Sequence, residues 1–195
     1  MARTNIAVGV VTALATLGVG STMAQTAGAP KPATDSEHEQ HHQSTQSLSD
    51  AEFVPMMIKH HREGIQMAQL EEKTGGSAEV KALATRIRQS QQRDIPELER
   101  HAKPAGTSGS QAGHDKAMEQ QSQATMTRLK SSSGAALDHA FLEEMAKHHE
   151  MAIQMSETAK LQDPELKRQA QQMVASQRKE LAELKQHLAQ HGPAK

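Results

Sequence analysis

The chain has 195 residues, with 22 Lys and Arg against 23 Asp and Glu, 12 His, two Phe and no Cys, Trp or Tyr. This balance excludes the concentrated basic face that nucleic acid requires, and the lack of Cys excludes disulfides and cysteine lipidation. With 35% apolar residues, the length suits one domain whose core is built from Ala, Leu, Ile, Val and Met.

Residues 1–24 read as a signal peptide. Arg3 supplies the positive start, Ile6 to Gly20 form an apolar run too short to span a bilayer comfortably, and Ser21-Thr-Met-Ala24 offers small residues for cleavage. The mature chain is therefore expected in the periplasm or outside the cell, with no stable membrane insertion. Residues 25–47 are rich in Thr, Ala, Pro, Gln and His without periodicity, and read as a disordered lead-in. Its cluster His38-Glu-Gln-His41-His42 is able to capture metal weakly.

From Leu48 a helical period takes over, and the sequence repeats itself. Asp50 to Met67 returns 88 positions later as Asp138 to Met155, with nine of eighteen residues identical: Asp, Phe, Met, Lys, His, His, Ile, Gln and Met. In each copy one helical face carries Phe53, Met57, His60, Gly64 and Met67, or Phe141, Met145, His148, Ala152 and Met155. His61 and His149 fall on the shoulder of that face.

A second helix follows each copy. Ser77 and Asp163 are natural N-caps, and Pro164 stands where a helix tolerates it. The inward stripes are Val80, Ala84, Ile87, Gln91, Ile95 and Leu98, matched by Leu166, Ala170, Met173, Gln177, Leu181 and Leu184. Each has an amide in the middle of an apolar face, a place that calls for something polar opposite.

The predicted architecture is all-α. Residues 48–191 form a four-helix bundle of two repeated hairpins, 48–102 and 136–191, joined by a crossover, 103–135. Lys103 to Gly113 reads as a loop, and Met118 to Lys130 as a short extra helix. Pro55, Gly64 and Pro96 make the first hairpin the less regular one.

Imidazole is the common ligand of borderline metals, and thioether sulfur favours soft ions, Cu(I) above all. Met56, Met57, His60 and His61, with Met145, His148, His149 and Met151 in the second copy, lie within reach of one another at helical spacing. They are the candidate metal ligands. His60 and His148 share one site if the stripes meet, and otherwise each repeat holds its own. Against this stands a core reading, in which Met fills gaps and His60 hydrogen-bonds to Gln91 or Gln177.

Enzyme signatures are missing. There is no Gly-rich phosphate loop, no His-Glu-x-x-His and no Gly-x-Ser-x-Gly. A carboxylate-bridged di-iron site needs Glu-x-x-His on two core helices, yet that spacing occurs at Glu39 and His42 in the lead-in, while Glu144 lies four before His148. The expected protein is not an enzyme.

The pattern Asp-x-x-Phe-x-x-x-Met-x-x-His-His-x-x-x-Ile-x-Met, twice, each followed by a helix with Ser-Gln-x-x-Asp/Glu-Ile/Leu, resembles a family of exported bacterial proteins. This is the family named domain of unknown function three-oh-five. The resemblance covers residues 48–190, and Leu129-Lys-Ser-Ser-Ser-Gly-Ala-Ala-Leu-Asp138 fits the family's lead-in to its second copy. It implies a ferritin-like periplasmic bundle, and some members bind copper and are linked to copper resistance. On that reading Met57, His60, His61, Met145, His148 and His149 stand at the family's motif positions.

The expected function is copper binding that buffers, sequesters or hands on the ion. Cu(I) is favoured, with Cu(II), Ag and Zn as other ions such donors accept. Expected partners are metal ions and other periplasmic copper-handling proteins, with homo-oligomers allowed. The rival readings are a periplasmic helical stress chaperone, or a structural interaction module whose His and Met are core.

Overall fold

The computed structural model describes residues 47–102 and 109–191, with backbone alone for 109–115 and 191. The predicted signal peptide and all of the lead-in except Ser47 lie outside the described residues. Five helices are described: α1 (Asp50–Thr74), α2 (Ala78–Glu99), α3 (Gly109–Lys130), α4 (Gly134–Thr158) and α5 (Pro164–His191). The all-α expectation holds. α1 with α2 and α4 with α5 form the two hairpins, α1 packs on α4 and α2 on α5, and α3 lies against α1 and α4.

Ser77 caps α2, its Oγ accepting from Val80 N–H at 3.4 Å, and Asp163 Oδ1 accepts from Glu165 and Leu166 N–H at 2.9 and 3.3 Å. α1 and α4 are each 25 residues long although α1 contains Pro55, and α2 runs on through Pro96. Burial of an apolar stripe along each helix offsets the ~3 kcal/mol that an internal proline costs.

The crossover departs from expectation. α3 is 22 residues long and starts at Gly109, so it is not short and it takes in the end of the segment read as loop. Its apolar period marks only the part that docks on α1 and α4. The Gly- and Ser-containing start is helical at a cost of about 1 kcal/mol or less per residue.

The core is divided along the bundle axis. One cluster gathers around Phe141 with Met67, Val80, Leu83, Ile87, Leu137 and Leu184, and the other around Phe53 with Met57, Leu98, Leu166 and Met173. Between them all four bundle helices contribute buried polar side chains: His60 and His61, Gln91, His148 and His149, and Gln177. The amides foreseen in the middle of the apolar faces thus join the histidines in one mid-bundle polar layer.

The repeated aspartates lock the hairpins to each other. Asp138 at the start of α4 accepts Gly76 and Ser77 N–H at 2.6 and 2.8 Å, and Asp50 at the start of α1 accepts Gln162 and Asp163 N–H at 2.8 and 3.1 Å. Each aspartate therefore holds the entry to the other repeat's second helix, where free N–H groups and the helix dipole favour a carboxylate. Asp138→Ala and Asp50→Ala are each expected to lower stability by about 1–3 kcal/mol in urea unfolding. A loss within about 0.5 kcal/mol, the level of ordinary surface substitutions, counts against these bonds.

A candidate metal centre at the histidine layer

His60 and His148 meet on the line that relates the two repeats. Their rings stack with centroids 3.6 Å apart and planes 10° from parallel. Each Nε2–H donates to the other residue's backbone carbonyl, both at 3.0 Å. That exchange fixes the tautomer: with the proton on Nε2, each Nδ1 keeps its lone pair. Metal-ligating histidines are oriented in this way, the second ring nitrogen donating to a carbonyl or carboxylate. His148 Nδ1 is buried without a hydrogen-bond partner.

Burial first, then the neighbouring imidazole of His61, pushes the His60 pKa down to about 3. Burial and then His60 hold His148 well below the usual histidine range. Both rings are therefore neutral at physiological pH, the state in which imidazole binds metal.

Glu63, one turn beyond His60, completes a group. Ligand atoms of His60, Glu63 and His148 lie within 4.8 Å of one another, the one such group of three among the described residues. Burial, chiefly, raises the Glu63 pKa to about 7. The three face a cavity of about 50 Å³ that Met67, Met118, Met126 and Met151 also line. That volume admits an ion and a water molecule. Two imidazoles, a carboxylate and several thioethers form a donor set that fits copper in either oxidation state.

The structure brings together three of the sequence candidates here: His60, His148 and Met151. Met57 and Met145 are fully buried, one in each apolar cluster, and Met56 is buried at 5% exposure; none of the three lines the cavity. The shoulder histidines turn to carboxylates on the second helices. His61 Nε2 faces Asp94 Oδ2 at 3.3 Å, and His149 contacts Glu180 Oε2 at 2.7 Å through Nε2 and the Met145 carbonyl at 3.0 Å through Nδ1. His149 thus has no ring nitrogen to spare, whereas His61 Nδ1 is buried and unpartnered.

The expected bond from His60 to Gln91 or Gln177 is not formed. Both amides are buried with an Oε1 that has no partner. Glu144 does line the cavity, but Arg128, Lys147 at 3.0 Å and Thr125 at 3.2 Å hold its carboxylate.

Glu63 escaped the sequence reading because its counterpart in the second repeat is Met151, so it broke the repeated pattern. Its signal was His60-x-x-Glu63, a spacing that puts both side chains on one helix face. Met67 stands on the inward face of α1 and Met118 and Met126 on the crossover helix; their shared cavity comes from docking.

Gly64, which the sequence marked as an irregularity, has a steric reason. A Cβ there would stand 2.3 Å from Gln91 Oε1 and 2.8 Å from His148 Cε1.

The chain belongs to the family described as "Domain of unknown function (DUF305)", whose model matches residues 11–102 and 50–188. Solved structures show the same fold. A presumed secreted DUF305 protein of Streptomyces coelicolor is 24% identical, with a TM-score of 0.61 over 75% of this chain and 95% of its own. A DUF305 fragment from Deinococcus radiodurans is 26% identical, with a TM-score of 0.61 over 72% of this chain and 95% of its own. CopM in its Cu(I)-bound form is 22% identical, with a TM-score of 0.57 over 74% of this chain and 98% of its own, and Ag-bound and Cu(II)-bound forms also match. No curated protein matches the chain.

Gly64→Ala gains about 1 kcal/mol of helix propensity but overpacks the layer. It is expected to lower the melting temperature of the metal-free protein, and an unchanged or raised value contradicts the packing at Gln91 and His148.

A second expectation concerns acid. Unfolded histidines protonate near pH 6.5 while folded His60 and His148 stay neutral, so the unfolded chain binds the extra protons. The contribution of both rings is complete above pH 6.5 and declines as pH falls below it, for His60 down to about 3, with a slope of up to about 1.4 kcal/mol per pH unit for a single proton. Denaturant unfolding from pH 7 to 4, beside His60→Asn/His148→Asn, should show wild-type stability declining relative to the variant. A pH-independent difference refutes it.

Proposed function

We propose that this is an exported copper-binding protein that buffers the ion or hands it on, without catalytic turnover. The observation that carries the reading is the His60–His148 pair, whose Nε2–H groups are spent on each other's carbonyls while the buried Nδ1 of His148 has no partner. A buried polar atom left unpaired costs about 1–3 kcal/mol. An ion in the cavity would accept that lone pair together with His60 and Glu63.

The CopM structures with Ag, Cu(II) and Cu(I) support copper over other ions. So does the affinity order of divalent metals, which peaks at copper. The small cavity speaks against an organic substrate, which takes several hundred Å³. The presumed secretion of the Streptomyces coelicolor protein agrees with the apolar N-terminal run and supports a reading in which copper is captured outside the cytoplasm. Among the described residues no helix is long and apolar enough to cross a membrane.

A client-holding chaperone needs an exposed apolar face, and among the described residues Met151, at 37% exposure, is the one exposed large apolar side chain. The structural-module reading has more in its favour, since the reciprocal His60–His148 bonds satisfy half of each ring without a metal.

Anaerobic Cu(I) titration against a chromophoric chelator separates these. Binding by the protein should be lost, by 100-fold or more in affinity, in His60→Asn/His148→Asn, with helical circular dichroism retained. Equal binding by both would remove copper from the layer, and no binding by either would leave the histidines as core.

A further inference from the structure

We propose that Glu71 and Asp138 share one proton, and that this proton closes a pH-sensitive latch between the turn of the first hairpin and the start of α4. The inference is independent of the copper reading, since it uses no residue of the histidine layer.

The turn after α1 is pressed against the entry to α4. Gly75 pairs with Gly134 in an isolated β-bridge, and a Cβ on Gly76 would stand 2.9 Å from backbone atoms of Gly134 and Ala135. At the same joint Gly76 and Ser77 N–H donate to the Asp138 carboxylate at 2.6 and 2.8 Å. The Glu71 side chain is fully buried here. Its carboxyl folds back over Gly75, where any Cβ would overlap Oε1, so the glycine makes the space the carboxyl occupies.

A buried ionised glutamate needs a cation or several N–H groups around it. Glu144, the other buried glutamate among the described residues, has Arg128 and Lys147, and Glu72 beside Glu71 reaches Arg88 at 2.8 Å. Neither oxygen of Glu71 meets a donor of that kind. Its place in the last turn of α1 also sets it at the negative end of the helix dipole. What it does have is a hydrogen bond with Asp138, and two carboxyl groups make such a bond only when one of them carries a proton. The charged groups facing it are Asp138 on α4 and Lys81 on α2. Burial first, then Asp138, raise the Glu71 pKa to about 8, against a smaller opposing effect of Lys81. Loss of the proton to solvent leaves two buried carboxylates side by side, and their repulsion pushes the turn off α4.

In the open joint Glu71 is solvated and ionises near the ordinary 4.5, so closing takes up a proton at any pH between there and about 8. The closing equilibrium therefore weakens as pH rises through that window, by up to about tenfold per unit, and levels off above it. The test compares the full protein with Glu71→Gln, which keeps the size and a donor for Asp138 but cannot ionise. Protection factors of the Gly76 and Ser77 amides, corrected for intrinsic exchange, should fall from pH 5 to 8 at least about tenfold more in the wild type than in the variant. Carboxyl carbon-13 NMR of the wild type needs no variant, and there Glu71 should titrate near 8. Equal pH dependence of protection in the two proteins, or a Glu71 carboxyl that titrates near 4.5, overturns the latch.

Discussion

The crossed bond between His60 and His148 is the constraint on which the rest depends. Each ring crosses the α1–α4 contact to the other helix's backbone, so register between the repeats is fixed at one layer and the apolar clusters fall into place on either side. A carbonyl inside a helix already accepts from the residue four positions on, and its second lone pair is what the imidazole uses. The arrangement requires two histidines at equivalent positions on helices that approach closely, which duplication provides. It also commits both Nε2 atoms, and so decides which nitrogen is left for chemistry.

A layer of histidines and glutamines between two apolar clusters lowers stability compared with leucine in the same places. His61 Nδ1, His148 Nδ1 and the Oε1 atoms of Gln91 and Gln177 are buried without partners, and buried polar groups persist where something other than stability is selected. The aspartates Asp50 and Asp138 work in the opposite sense, as charge-assisted caps at the ends of the bundle. Ends that are locked and a centre that is polar and incompletely satisfied describe a frame built around a site.

Symmetry explains the frame, and its breaking explains the site. Glu63 and Met151 occupy equivalent positions of the two repeats, so one side of the cavity offers a hard oxygen and the other a soft sulfur. Gly64 and Ala152 are likewise equivalent, and the smaller residue stands where Gln91 and the His148 ring press closest. α3 has no counterpart and closes the cavity from one side.

The helical period, the N-caps Ser77 and Asp163 and the duplicated Asp-x-x-Phe-x-x-x-Met-x-x-His-His pattern were enough to determine an all-α bundle of two hairpins, because amphipathic period and capping are local properties. They also determined that His60 and His148 face inward. Which donors share a cavity was decided by tertiary structure alone. Met57 and Met145 share a helical face with the histidines but go to separate apolar clusters, whereas Glu63, Met67, Met118 and Met126 come to the pair from positions that no repeat marks. Spacing along one helix specifies a direction around its axis; it carries no information about what the neighbouring helix places opposite, and a metal site is made of what stands opposite.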